Sequence, residues 1–296
     1  MAPSAHHTHP QHEHQPRHDH THTSSTVYSP GDESALAHIL DLDAEVLASQ
    51  LAEVIDWVGQ HAEGTPLTIA DVGAGTGTGS FALARRFPTA TIVALDISPA
   101  MLDHLQTAAL RQGLTERMRT VQGDLDAAWP AVGPLDLAWA SSSLHHFAEV
   151  DRVLRDIFAA LTPGGLFVAV EMDSFPRVLP HDLGFGRPGL EDRIQDAIAH
   201  AGWNSSPNWS PHLSAAGFGL LEERSFAAEL NPAPESTGRY AHAFLTRIRA
   251  GLTHQLAADD LAALDRLLLV DGPDSVLRRD DLSVRGSRTA WAARRP

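Results

Sequence analysis

The sequence predicts an α/β fold with a mostly parallel, seven-stranded sheet, helices on both faces and helical cap insertions. Three observations predict it. Short apolar runs alternate with helical stretches from about residue 66 to 174, and strands separated by helices imply crossover connections and parallel pairing. A run of alternating glycines joins the first apolar run to the helix after it. The length of 296 residues exceeds a bare domain of this kind, and the excess lies in segments that break the alternation.

Taken in order, residues 1–26 hold eight of the 18 His, set among Thr, Ser, Pro and Gln, with almost nothing able to enter a core. They read as a disordered tail. Such His density binds divalent transition metals weakly, and no metal role in the chemistry is expected from it. The rest, 27–296, reads as one domain. From Ser34 to about His61 apolar residues recur at helical spacing, at Leu36, Ile39, Leu40, Val46, Leu47, Leu51, Val54, Ile55 and Val58. Gly64-Thr65-Pro66 ends that pattern, and LTIADV, TIVALD, MRTVQGD, PLDLAWAS and GLFVAVE follow as strands. From about Phe175 to Ser210 the chain is rich in Pro, Gly and Trp around a helix at Leu190 to Ala201. A strand returns at LLEERSFAAEL, a second helical insertion spans about residues 236–270, and VRGSRTAWAARRP alternates well enough for a last, edge strand. This divides the domain into a core of about 62–174, 211–231 and 282–296 and a cap of about 27–61, 175–210 and 232–281.

Composition removes several function classes. The formal charge of −15 disfavours nucleic acid, whose phosphates are met by clustered Lys and Arg. The absence of Cys removes disulfides, thiolate metal sites and a cysteine nucleophile, and the absence of Lys removes Schiff-base chemistry. No apolar run approaches the roughly 20 residues of a membrane span, and no apolar signal-peptide core opens the chain, so a cytoplasmic protein without a membrane partner is expected.

In IADVGAGTGTGSFALA a strand ends at Asp71-Val72, a helix begins near Thr78, and Gly73, Gly75 and Gly77 lie between. Glycines there let a ligand approach the backbone and meet the amides of a helix N-terminus. A dinucleotide fingerprint wants Gly at relative positions one, three and six; counting from Gly73 puts Thr78 sixth, and counting from Gly75 puts Ser80 there. Neither register fits. An acidic residue, one spacer and three alternating glycines do fit, and with them the chain resembles the class I S-adenosylmethionine-dependent methyltransferases, of the type that acts on small molecules. The resemblance covers roughly residues 65–175 and implies a Rossmann-like fold, S-adenosyl-L-methionine as cofactor, and methyl transfer to a small-molecule acceptor, with O- or N-methylation favoured.

Residue by residue, the resemblance puts Asp71, Gly73, Gly75 and Gly77 in the donor-binding loop. Asp96, which closes the second strand about 20 residues on, stands where an acid must bond ribose hydroxyls. Ser98 caps the next helix and Pro99 starts it. Ile97 and Met101 flank that acid, Asp124 and the amide of Leu125 are placed to meet adenine, Ser141 ends the fourth strand, and Tyr28 stands where the chain could fold over the donor.

Methyl transfer is an in-line displacement, so donor and nucleophile must be aligned within about 3–3.5 Å and a proton removed where the acceptor carries one. His145 and His146, at the end of the fourth strand, are the candidate bases, or else a turn feature. Glu171 and Asp173, closing the fifth, can orient an imidazole or bind an acceptor's polar group. Trp203, Trp209, Phe175 and Phe185 could line an apolar acceptor pocket, or merely pack the cap. Two alternatives stay open: a donor site used for non-methylating chemistry such as cyclisation, and an NAD(P)-dependent oxidoreductase, disfavoured by the glycine spacing.

Overall fold

The computed structural model describes residues 30–203 and 207–296, so Tyr28 and the His-rich tail lie outside the described residues. Seven strands form one sheet: β1 (Thr68–Val72), β2 (Thr91–Asp96), β3 (Met118–Gln122), β4 (Leu135–Ser141), β5 (Leu161–Met172), β6 (Gly219–Leu230) and β7 (Val284–Arg294). Their order is β3-β2-β1-β4-β5-β7-β6. The first five pair in parallel, and β7 runs antiparallel to both β5 and β6. Parallel neighbours need crossovers, and the sequence supplies them as α3 (Thr78–Arg86), α4 (Pro99–Arg111) and α5 (Val150–Ala160).

The last strand corrects the edge-strand expectation. β7 is interior, with Ala290, Trp291, Ala292 and Ala293 buried, and β6 is the edge. Small side chains let helices close over both faces there, while the run of exposed residues from Gly219 to Glu223 suits β6 to the rim.

Side chains of β1, β2, β4 and β5 are largely buried on both faces, which is why these strands read as apolar runs, while β3 (MRTVQ), at the other end of the sheet, is only partly buried. One face carries α3, α4 and α2 (Ala48–His61), whose Trp57 joins Phe81, Leu105, Trp139 and Phe226 in one apolar cluster. Thus α2, expected in the cap, is part of the core. The other face carries α5 and α7 (Ser210–Ala215), around Phe167, Phe218 and Trp291. Trp209 is buried in this second cluster rather than in a cap pocket.

A third apolar cluster forms the cap. It joins α1 (Pro30–Val46), α6 (Leu190–His200), α8 (Thr237–Gly251) and α9 (Ala258–Leu268) through Leu42, Ile194, Tyr240, Phe244 and Leu264, with Phe175 and Phe185 partly buried against it. Two buried acids tie it down. Glu191 accepts from the amides of Val178 and Leu179, and Asp260 takes the guanidinium of Arg193 at 2.8 Å and that of Arg187 at 3.1 Å. Trp203 is half-exposed and lies against Gly251 on α8. No helix among the described residues is long and apolar enough to cross a membrane.

Candidate functional site

The site lies at the carboxyl ends of β1, β2, β4 and β5, where an open α/β sheet receives ligands. After Asp71-Val72 the chain turns through Gly73, Gly75 and Gly77, at φ of +74°, +52° and +90°. Those values lie in the left-handed region that side chains resist. The amides of Gly73 and Ala74 both donate to the carbonyl of Leu95, which ties the turn to β2, and Gly77 is the N-cap of α3. A Cβ at Gly73 would lie 2.5 Å from the Cβ of Ser143, and one at Gly77 2.6 Å from Leu105. Gly73→Ala therefore meets both a backbone penalty of about 1–2 kcal/mol and an overpacking penalty of about 1–3 kcal/mol. Gly64, at φ +72° in open space, meets only the first. Urea unfolding is expected to rank Gly73→Ala as the more damaging of the two.

Asp96 closes β2 with both oxygens in use: Oδ2 accepts from the Gly75 amide at 2.8 Å and Oδ1 from the Ser98 amide at 2.9 Å. Each carboxylate oxygen keeps a further lone pair for a ligand hydroxyl. Ser98 caps α4 by accepting from the Met101 amide and donates to Glu33 of α1 at 2.8 Å. Leu40, also on α1, lies 3.6 Å from where a Gly75 Cβ would be, so the first helix covers the glycine loop. Ile97 is exposed and the Met101 side chain is buried. Asp124 follows β3 as an exposed residue, its Oδ1 taken by the amide of Asp126, and Leu125 is buried.

Asp71 is buried, accepts from Ser80 Oγ at 2.7 Å, and is pushed up to about 7 by burial, with the charge of Asp96 acting in the same direction. Gly79 leaves it room, because a Cβ there would sit 2.5 Å from the Trp139 indole nitrogen and 3.2 Å from the Asp71 carboxylate.

At the end of β4, after Ser141, Ser142 adopts φ +52°, an uncommon conformation for a residue with a side chain. Two neighbouring side chains hold the turn. Ser143 Oγ donates to the carbonyl of Val72 at 2.7 Å, which joins this turn to the glycine loop. Glu171, 1% exposed, accepts from the amides of Ser143 and Leu144 with Oε1 and from His145 Nδ1 with Oε2 at 2.7 Å. The carboxylate thereby fixes the tautomer and leaves His145 Nε2 for other work. His146 packs on His145, ring centroids 4.1 Å apart, and has no such carboxylate among the described residues; burial of its ring and then the neighbouring imidazole lower it to about 4. Asp173 accepts from the hydroxyls of Ser287 and Thr289 on β7. Ser80, Gly79, Ser143 and Glu33 joined the site only in the structure. The signal present in the sequence was the Ser141-Ser142-Ser143 run.

The three left-handed glycines clear the backbone of side chains at a helix N-terminus, beside an acid that retains lone pairs, which fits a nucleoside bearing ribose hydroxyls. Residues 70–167 match the family model described as a methyltransferase domain. A malonyl-[acyl-carrier protein] O-methyltransferase of Xylella fastidiosa is 29% identical over 265 residues, 88% of this chain and 77% of that protein. A demethylmenaquinone methyltransferase of Thermus thermophilus is 30% identical over 176 residues, 59% of this chain and 71% of that protein. The chain is a class I S-adenosylmethionine-dependent methyltransferase. Its methyl donor is S-adenosylmethionine. This methyltransferase also shares its fold with a methyltransferase of Bacillus halodurans, at a TM-score of 0.51 and 18% identity, over 82% of this chain and 98% of that one.

Proposed function

We propose that the methyltransferase methylates an oxygen or nitrogen of a small, largely apolar acceptor, with His145 as general base held by Glu171. The observation that carries this is the Glu171–His145 bond at 2.7 Å on a turn that Ser143 ties to the glycine loop. S-adenosylmethionine supplies an electrophilic methyl group on its sulfonium centre. Around it, Gly73, Gly75 and Gly77 shape the cradle, Asp96 bonds the ribose hydroxyls, and Asp124 and Leu125 with Ile97 meet the adenine. Met101, in the first turn of α4, and Ser141, at the end of β4, complete the cradle, while Asp71 holds Ser80 beneath the loop. His145 Nε2 is placed to take the acceptor's proton, and His146, lowered to about 4, is the weaker base. The acidic surface, with a formal charge of −15, favours a small acceptor over nucleic acid.

Screening hydroxyl- and amine-bearing metabolites for S-adenosylhomocysteine release tests the reading. A methyl-labelled donor separates transfer from chemistry that keeps the methyl on sulfur, and activity confined to nucleic acid overturns the proposal. Donor affinity gives a second test. Asp96→Ala removes the acceptor of two ribose hydroxyls together with the tie to the Gly75 amide. At about 1.5–3 kcal/mol per charge-assisted bond, the loss is roughly 10²–10⁴-fold by calorimetry. Unchanged affinity would mean that Asp96 is not the ribose acid.

A further inference from the structure

The junction between the cap and the end of β5 holds a cation that the methyl-transfer machinery does not use. Arg288 pairs across strands with Met172, one position beyond the Glu171–Thr289 pair. Successive residues face opposite sides of a sheet, so Arg288 stands at the same lip as Glu171 but on the α1 face. Its side chain is 15% exposed, and its partner is Asp43 of α1, 20% exposed, at 2.6 Å through one terminal nitrogen. A guanidinium carries five N–H donors, so one bond to Asp43 leaves an edge of the fork for a second carboxylate.

Aromatic side chains of the cap pack beside this ion pair. Phe175, two residues past Asp173, lies 5.4 Å from Phe244, and Phe244 stacks on Tyr240 at 5.9 Å and 5°. Tyr240 is 2% exposed. Burial, and then the charge of Asp43, hold its phenol well above its ordinary range, Arg288 acts in the opposite sense, and so its neutral hydroxyl lies in the field of the pair. A partly buried aromatic side chain, Phe175, and a desolvated cation with donors to spare are the two kinds of group that an amphipathic anion needs.

We propose that Arg288 is a specificity-determining residue that binds a carboxylate on the acceptor, remote from the atom that is methylated. The acceptor then lies across the lip of β5, its reacting hydroxyl or amine beside His145, its apolar body against the partly buried Phe175, and its anion on the free edge of Arg288. The inference rests on the reading of His145 as the base for that reacting group.

The test uses para-hydroxybenzoate, para-hydroxyphenylacetate and ω-hydroxydecanoate beside their primary amides, with the whole chain saturated in S-adenosylhomocysteine for melting curves and in donor for turnover. A carboxylate bound only by the folded protein raises Tm. At least one acid is expected to raise the wild-type Tm where its amide does not, and Arg288→Met is expected to abolish that shift. For an acid that is turned over, Arg288→Met raises KM roughly 10–100-fold with kcat within a few-fold, and Arg288→Lys, which keeps the charge without the planar fork, falls between. If Arg288→Met fails to fold, Arg288→Lys alone decides, since it keeps the ion pair with Asp43 and loses bidentate recognition. No Tm shift with any of the acids, an equal shift with acid and amide, or a KM unmoved in both variants overturns the proposal. If His145→Ala keeps full turnover while Arg288→Met still lifts KM, the base reading falls and the anchor stands.

Discussion

Replacing His145 by Ala lowers turnover by about 10²–10⁴-fold while donor affinity stays near that of the wild type, the span expected when a positioned base is lost. Glu171→Gln lowers it comparably. Glutamine can still accept from the amides of Ser143 and Leu144, but an amide nitrogen at the other position cannot accept from His145 Nδ1, so the imidazole loses the orientation that frees Nε2. Because the two act as one unit, the double variant falls little below either single one. His146→Ala stays within a few-fold. Steady-state kinetics of the three single variants and the double variant check each arm. Full turnover in His145→Ala would leave alignment of donor and acceptor as the sole source of catalysis.

The second large effect is on stability. Asp71 is raised to about 7 in the folded protein from an ordinary 3.8, mainly by burial, so between those values the folded state binds more protons than the unfolded chain. Stability contributed by this group is therefore fully present below pH 3.8 and lost as pH rises through 7. Asp71→Asn keeps the shape and removes the ionisation. Its stability relative to wild type is expected to grow by about 4 kcal/mol between acid pH and pH well above 7, read from urea unfolding at each pH. A difference that stays flat would show that the buried carboxyl ionises as it does in water.

Much of the donor half of the site was legible because it is local. Asp71, Gly73, Gly75, Gly77 and Asp96 lie within one strand-turn-helix-strand unit, and left-handed turns leave their mark directly as glycine. Four of the five parallel strands were legible for a related reason: burial on both faces makes β1, β2, β4 and β5 apolar runs, whereas β3 at the sheet's end is only partly buried. The acceptor half was less so. That Glu171 could orient an imidazole followed from its place at a strand end, but which imidazole depended on the turn at Ser142, whose φ of +52° no residue type announces. Trp209 looked like a cap aromatic and packs on the opposite face of the sheet, because a tryptophan carries no record of which of two apolar clusters it joins.

By itself, then, the sequence determined the fold class, the donor and the order of the strand ends, since these follow from periodicity and from backbone conformations that only particular residues adopt. Tertiary structure decided which distant groups meet. Asp43 and Arg288 are 245 residues apart in the chain, and Glu171 and the Ser143 amide 28. The placing of β7 inside the sheet, with β6 at its edge, brings Arg288 to the lip of β5, and no local pattern encodes that, because strand order is settled by which apolar faces can be closed by helices.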